Sequence, residues 1–282
     1  MPRTILSFLT VLALNLTLAL TAQADLLYVT GNSTINGDGG GSFGTINTGT
    51  GVYTEIATYT LPAPNNLVWN GTSFYVIQGA QYAESLQTLT TGGVVTTAGQ
   101  AGPGFPVYGM AYDSANSKMY AYDYMQDKLW TVNTTTGASE PIGLTYASTS
   151  PPVGGRLAVL NNVLYGALYN SGAGGFGTFD TGSGLFTQTA TNDLFQSMNL
   201  ATDGTTLYGI YSDGSTTRNL YTIDPGSGET TFVNSITGSN LPDYWTGASF
   251  GPAAVPEPST YALLCISLGV VGFARKKMAV KP

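Results

Sequence analysis

The 282-residue chain contains no histidine and a single cysteine, Cys265. That removes Ser-His-Asp and Cys-His nucleophilic catalysis, the commonest zinc and non-haem iron ligand, and any intramolecular disulfide or thiolate cluster. General acid–base chemistry is left to carboxylates, as in glycoside hydrolysis. Asp113, Asp180, Asp203, Asp213 and Asp224 precede or enter Gly- and Ser-containing turns, where an Asp side chain folds back on its own backbone, and turn formation accounts for all five. Asp123 and Asp127, with Tyr122 and Tyr124 alongside, fall in no repeated turn and remain open to a ligand. Asn36 and Asp38 offer oxygens to calcium but lack the alternating acidic loop and its distal Glu. The Gly-rich stretch from Gly31 to Ser42 is not followed by a Lys-Ser/Thr pair and a helix, which argues against a phosphate cradle. No metal or cofactor is expected. Residues 25–254 hold 15 acidic and 4 basic side chains, a formal charge of −11 that repels nucleic acid and other polyanions.

These residues need a scaffold, and composition sets its class. Only 9% of residues are charged, too few for long solvated helices, while 37 Gly and 14 Pro mark many turns. An apolar fraction of 43% provides enough surface to offset the entropy of ordering, so the chain packs a core. All-β is the reading.

A repeat then fixes the architecture. Leu27-Tyr28, Phe74-Tyr75, Met119-Tyr120, Leu164-Tyr165 and Leu207-Tyr208 recur with tyrosine spacings of 47, 45, 45 and 43. Each is followed by a second strand ending in a Gly-containing turn, such as Asp180-Thr181-Gly182 or Asp224-Pro225-Gly226, as a hairpin requires. Each except the first is preceded by a short apolar strand, at Asn66–Trp69, Gly109–Tyr112, Arg156–Val159 and Asn199–Thr202. A further copy, Thr246–Phe250, stands alone near the C-terminal end of this region. The orphan matches the strand that the first unit lacks. The expectation is a five-bladed β-propeller over residues 25–254, with four-stranded antiparallel blades and a C-terminal strand completing the first blade; a β-sandwich or solenoid is the alternative. The units resemble secreted propellers with an I-D-x-x-x-G turn per blade, a resemblance that picks out no enzymatic family.

The leading strand of each blade lines the central channel. Alignment on the tyrosine strand puts Asn66, Gly109, Arg156, Asn199 and Thr246 at one position, preceded by Asn65, Tyr108, Gly155, Met198 and Trp245. Amides, a hydroxyl, a guanidinium and two aromatic rings near one mouth suit a hydroxyl-rich ligand, so Asn66, Tyr108, Arg156, Asn199, Trp245 and Thr246 are the ligand-binding candidates. The competing account is that these groups satisfy one another and ordered water.

Both ends read as processing signals. Arg3, an apolar run from Ile5 to Leu20 and Ala22-Gln23-Ala24 form a signal peptide over residues 1–24. At the other end, residues 255–282 carry Val255-Pro256-Glu257-Pro258-Ser259-Thr260, an uncharged stretch over 261–274 read as a short transmembrane helix, and Arg275-Lys276-Lys277, which places the tail in the cytoplasm. This series resembles the PEP-CTERM sorting signal of Gram-negative bacteria. The resemblance implies recognition by an exosortase near Pro256-Glu257-Pro258, removal of the helix, and export or surface attachment in species that make exopolysaccharide. Signal peptidase and exosortase are then the processing partners, the inner membrane a transient anchor, and the cell surface or biofilm matrix the destination. The functional expectation is a non-catalytic binding module for neutral carbohydrate or a matrix partner; a carbohydrate-active enzyme using a carboxylate pair and a purely structural matrix protein are the rivals.

Overall fold

The computed structural model describes residues 26–32, 40–60, 64–78, 85–97, 106–123, 125–144, 154–170, 173–214 and 216–252. The signal peptide, the sorting segment with its 261–274 stretch, the loop containing Asn36 and Asp38, and Tyr124 lie outside them. The chain divides into a unit ending at Pro252 and a second one from Ala253 to Pro282.

The strands run in chain order as follows. The first unit supplies β1 (Leu26–Asn32), β2 (Gly41–Asn47) and β3 (Tyr53–Tyr59). The second supplies β4 (Asn65–Trp69), β5 (Phe74–Gln78), β6 (Ser85–Leu89) and β7 (Val95–Thr97). The third supplies β8 (Val107–Asp113), β9 (Lys118–Asp123), β10 (Lys128–Val132) and β11 (Ser139–Leu144). The fourth supplies β12 (Gly154–Leu160), β13 (Val163–Asn170), β14 (Ala173–Phe179) and β15 (Phe186–Thr191). The fifth supplies β16 (Met198–Thr202), β17 (Leu207–Ser212), β18 (Arg218–Ile223) and β19 (Thr230–Ser235), and β20 (Tyr244–Phe250) stands last. They form five four-stranded antiparallel sheets, four of them consecutive in sequence and one ordered β20-β1-β2-β3. Tyr28 pairs with Ser249 and Val29 with Ala248, so the orphan strand closes the first blade as the repeat requires. The innermost strands β20, β4, β8, β12 and β16 contact one another in turn and back to β20, which completes the ring of a five-bladed propeller.

The Leu-Tyr repeat follows from this ring. Successive side chains of a strand point to opposite faces of its sheet, and here each sheet has a neighbour on both faces. Leu27, Phe74, Met119, Leu164 and Leu207 pack against the preceding blade, and Tyr28, Tyr75, Tyr120, Tyr165 and Tyr208 against the following one. The core is accordingly five separate clusters, one per blade interface. Leu27, Val29, Trp245 and Ala248 of the first blade meet Ala201, Ile210 and Leu220 of the fifth. Outer backbone bonds reinforce that seam, with Tyr53 N–H donating to Thr237 O at 2.7 Å and Thr237 N–H to Gly51 O at 3.0 Å.

The hairpins between the third and fourth strands of blades 3, 4 and 5 use one device. Asn133, Asp180 and Asp224 each accept from the backbone N–H groups two and three residues on, at 2.7–3.1 Å. A glycine at positive φ then ends the turn, at Gly137, Gly184 and Gly228. Deleting residues 245–252 strips β1 of its partner and Trp245 and Ala248 from the seam. Loss of a strand's burial is expected to lower stability by about 5 kcal/mol or more, measured as a collapse of the cooperative thermal melt of the full chain.

Candidate functional site

The polar groups near the axis come from the innermost strands, where blades converge. Pairing with the tyrosine strands sets the levels. Val68, Ala111, Ala158, Ala201 and Ser249 face the five tyrosines, so two residues earlier lie Asn66, Gly109, Arg156, Asn199 and Gly247. Gly247, not Thr246, therefore holds the fifth position. Thr246 lies one residue earlier, in a bulge where Thr30 faces Gly247 and Gly31 faces Trp245, as Tyr108 does between Val107 and Gly109 in the third blade. Two of the five positions are glycine because neighbouring backbone comes too close for a side chain. A Cβ on Gly109 would fall 2.6 Å from Gly155 O, and one on Gly247 2.2 Å from Leu67 N.

The three side chains at this level reach across to adjoining blades. Asn66, at φ 54° within a bulge, donates from Nδ2 to Val107 O at 2.9 Å. Asn199 donates from Nδ2 to Trp245 O at 2.9 Å and accepts from Arg156 Nε at 2.7 Å. Arg156 also donates from Nη1 to the Tyr108 carbonyl, and its guanidinium lies over the Tyr108 ring, 5.6 Å from the centroid. Thr246 Oγ1 lies 3.1 Å from Thr30 Oγ1. The belt joins blades 2 to 3, 3 to 4, 4 to 5 and 5 to 1. Among the described residues a cavity of about 10 Å³ lies at the level of Asn66, Arg156 and Asn199, with a larger depression towards each end of the innermost strands.

One depression, of about 280 Å³, brings together five of the six candidates: Tyr108, Arg156, Asn199, Trp245 and Thr246. Asn66 stands apart, at the constriction. Trp245 is only 4% exposed and packs edge-on against Tyr53 in the seam between blades 1 and 5, so its ring is core. The exposed ring faces belong to Tyr108 and Tyr244, at 37% and 52%. Tyr244 lies over the backbone of Gly214, where no side chain intervenes. Gln196 and Ser197 also line the depression. They come from a 3₁₀ turn, Asp193–Ser197, capped by Asn192, whose Oδ1 accepts from Leu194 N–H at 3.0 Å. Tyr244, Gln196 and Ser197 were not among the sequence candidates; the Asn192-Asp193 cap signal marks the turn that carries Gln196 and Ser197, and Tyr244 directly precedes the candidate Trp245. The opposite depression, of about 360 Å³, is lined by Trp69, Tyr112, Thr202, Asp203 and Phe250 among others.

Burial lowers the Arg156 pKa to about 10, against the raising influence of Tyr108, and the group remains a cation at neutral pH. Neither Arg156 Nη2 nor any other part of its guanidinium meets a carboxylate among the described residues. Arg218 differs: its Nη2 lies 3.7 Å from Asp243 Oδ1 and its Nε donates to Pro242 O at 2.7 Å.

The carboxylates act as turn makers. The Ser183 N–H and hydroxyl hold the Asp180 carboxyl below its usual range, and the Ser227 hydroxyl and N–H do the same for Asp224. Asp123 is fully buried in the β9–β10 hairpin, where Oδ1 accepts from Met125 N–H at 2.8 Å and Gln126 N–H at 3.3 Å, while Oδ2 has no partner. Asp127, 7% exposed, receives the Tyr122 hydroxyl at 3.2 Å. The pair left open by sequence is thus a buried hairpin brace. No group of three or more metal-ligating side chains occurs among the described residues. Burial pushes the Asp123 pKa up despite the two N–H groups and Lys128. A raised folded pKa makes ionisation costly at neutral pH, and that cost disappears as pH falls through the folded value. Asp123→Asn is therefore expected to raise the melting temperature near pH 7, with the gain shrinking towards about pH 4; melts across that range check it.

Residues 254–277 match the PEP-CTERM protein-sorting motif. The motif implies export, a C-terminal membrane anchor before processing, and an exosortase as the processing partner. Among the described residues no helix is long and apolar enough to cross a membrane. No curated protein sequence matches the chain. Among solved structures, a chain of a nidogen/laminin complex is similar at TM-score 0.54 and 11% identity, covering 79% of this chain and 97% of that one. A protein of unknown function from Bacteroides thetaiotaomicron is similar at TM-score 0.51 and 12% identity, covering 75% of this chain and 58% of that one. At such identities the likeness is one of fold.

Proposed function

We propose that the chain is an exported, exosortase-processed surface or matrix protein whose propeller is a non-catalytic binding module for a hydroxyl-rich glycan, such as an exopolysaccharide. The observation that carries this reading is the depression that joins the exposed rings of Tyr108 and Tyr244 to the polar groups of Gln196, Ser197 and Arg156. Aromatic faces cover the apolar side of a sugar ring, and the surrounding donors and acceptors meet its hydroxyls. The belt of inter-blade hydrogen bonds keeps this surface fixed before a ligand arrives, which limits the ordering cost of binding. Enzymatic turnover has weaker support. The Asp123–Asp127 brace is buried, and a glycosidase needs two carboxyls open to its substrate.

Glycan arrays and turnover assays on the full chain in detergent separate the readings. Saturable binding without product is expected. Product formation would make the protein an enzyme, and the absence of both would leave a scaffold. Tyr244→Ala and Tyr108→Ala are each expected to weaken binding about five- to ten-fold, in keeping with about 1 kcal/mol per aromatic contact. Titration calorimetry against a bound glycan measures this, with the thermal melt as the control for folding.

A further inference from the structure

We infer that the glycan taken by the Tyr108–Tyr244 depression carries a carboxylate, as a uronic acid residue does, and that Arg156 receives it. The inference rests on the glycan reading above and refines its ligand class from neutral to sparsely acidic.

Charge distribution is the first ground. Over residues 25–254 acidic side chains outnumber basic ones 15 to 4, yet among the described residues the lining of this depression includes Arg156 and no Asp or Glu. The opposite depression has the reverse character, with Asp203 and, among the described residues, no Lys or Arg in its lining. The second ground is the state of the guanidinium. Its Nε and Nη1 are held by Asn199 Oδ1 and the Tyr108 carbonyl, both uncharged acceptors, and Nη2 has no protein partner among the described residues. Arg218, by contrast, has Asp243 beside it. A cation placed among neutral groups, with burial working against its charge, gains more from an incoming anion than a cation already paired.

The arrangement also fixes what kind of anion fits. Two of the guanidinium nitrogens are tethered and the group lies over the Tyr108 ring, so the remaining Nη2 edge meets a single planar acceptor while the rings hold the rest of the sugar. The −11 charge of the surrounding domain opposes a densely charged polymer. A glycan with occasional carboxylates among neutral sugars satisfies both conditions.

The test uses a panel of glucose-, mannose- and galactose-based disaccharides, each offered in three forms: neutral, terminal uronic acid, and methyl ester of that acid. Binding to the full chain in detergent is measured by titration calorimetry. The uronic acid form is expected to bind about ten-fold tighter than its neutral and ester partners, since a charge-assisted hydrogen bond is roughly twice as strong as a neutral one. In Arg156→Gln that preference should fall to within about two-fold, whereas Arg156→Lys, which keeps the charge but not the fork, should retain part of it. Equal binding of the three forms by the unsubstituted chain, or a preference unchanged in Arg156→Gln, would overturn the carboxylate assignment and leave the glycan reading standing. Failure of every member to bind would overturn both. If Arg156→Gln does not fold, the acid-against-ester comparison on the unsubstituted chain decides.

Discussion

No blade of this protein can bury its own faces. Each four-stranded sheet is apolar on both sides, and a lone sheet of that size exposes one or both of those sides to water. The five core clusters lie between blades, never within one. Stability therefore depends on closing the ring, and closure depends on β20. That strand gives β1 its inner partner and inserts Trp245 and Ala248 into the seam with the fifth blade. Sequence-distant contacts of this kind form late and cost loop-closure entropy, which the burial at the final seam must offset.

Closure also dictates what the axis can hold. Five innermost strands converge there, and at Gly109 and Gly247 the next blade's backbone leaves no room for a Cβ. The remaining three positions carry long polar side chains that reach over the glycines to carbonyls of the adjoining blades. Buried carbonyls at strand ends need donors, and Asn66, Asn199 and Arg156 provide them. The candidates chosen for ligand binding are thus structural first. What remains for a ligand is one guanidinium edge and the exposed rings above it. On the proposed reading Arg156 would serve two purposes, since the bonds that tether it also determine which edge it presents.

The architecture was legible in the sequence because its physical causes repeat. Leu27-Tyr28 and its four counterparts recur because both faces of every second strand are buried, and Asp180 and Asp224 recur because each hairpin must reverse in the same space. Thr246–Phe250 was readable as a missing piece because no other segment could pair with β1. The details of the site were harder to see, since they depend on single irregularities. The pairing of Ser249 with Tyr28 puts Gly247 at the level of Asn66 and leaves Thr246 in the bulge beyond it. Nothing in the local pattern around Asp123 signals that its carboxyl is walled in by the hairpin that follows. Gln196 lies in a turn that connects two blades, where periodicity carries no information, and Tyr244 opens β20 ahead of the part of that strand that matches the repeat. The distinction between Arg156 and Arg218 is invisible in sequence, because both occupy strands and only the three-dimensional placement of Asp243 separates them.

The order of segments along the chain has a consequence for processing. β20 ends at Phe250, and the sorting motif begins at residue 254. Every strand that the ring needs is therefore made before the motif. Cleavage near Pro256-Glu257-Pro258, as the resemblance implies, would leave all twenty described strands on the exported portion. Had the closing strand lain beyond the motif, release would have unzipped the first blade and exposed an edge ready to pair with other chains. The position of the orphan strand, which first revealed the ring, thus keeps every described strand ahead of the motif.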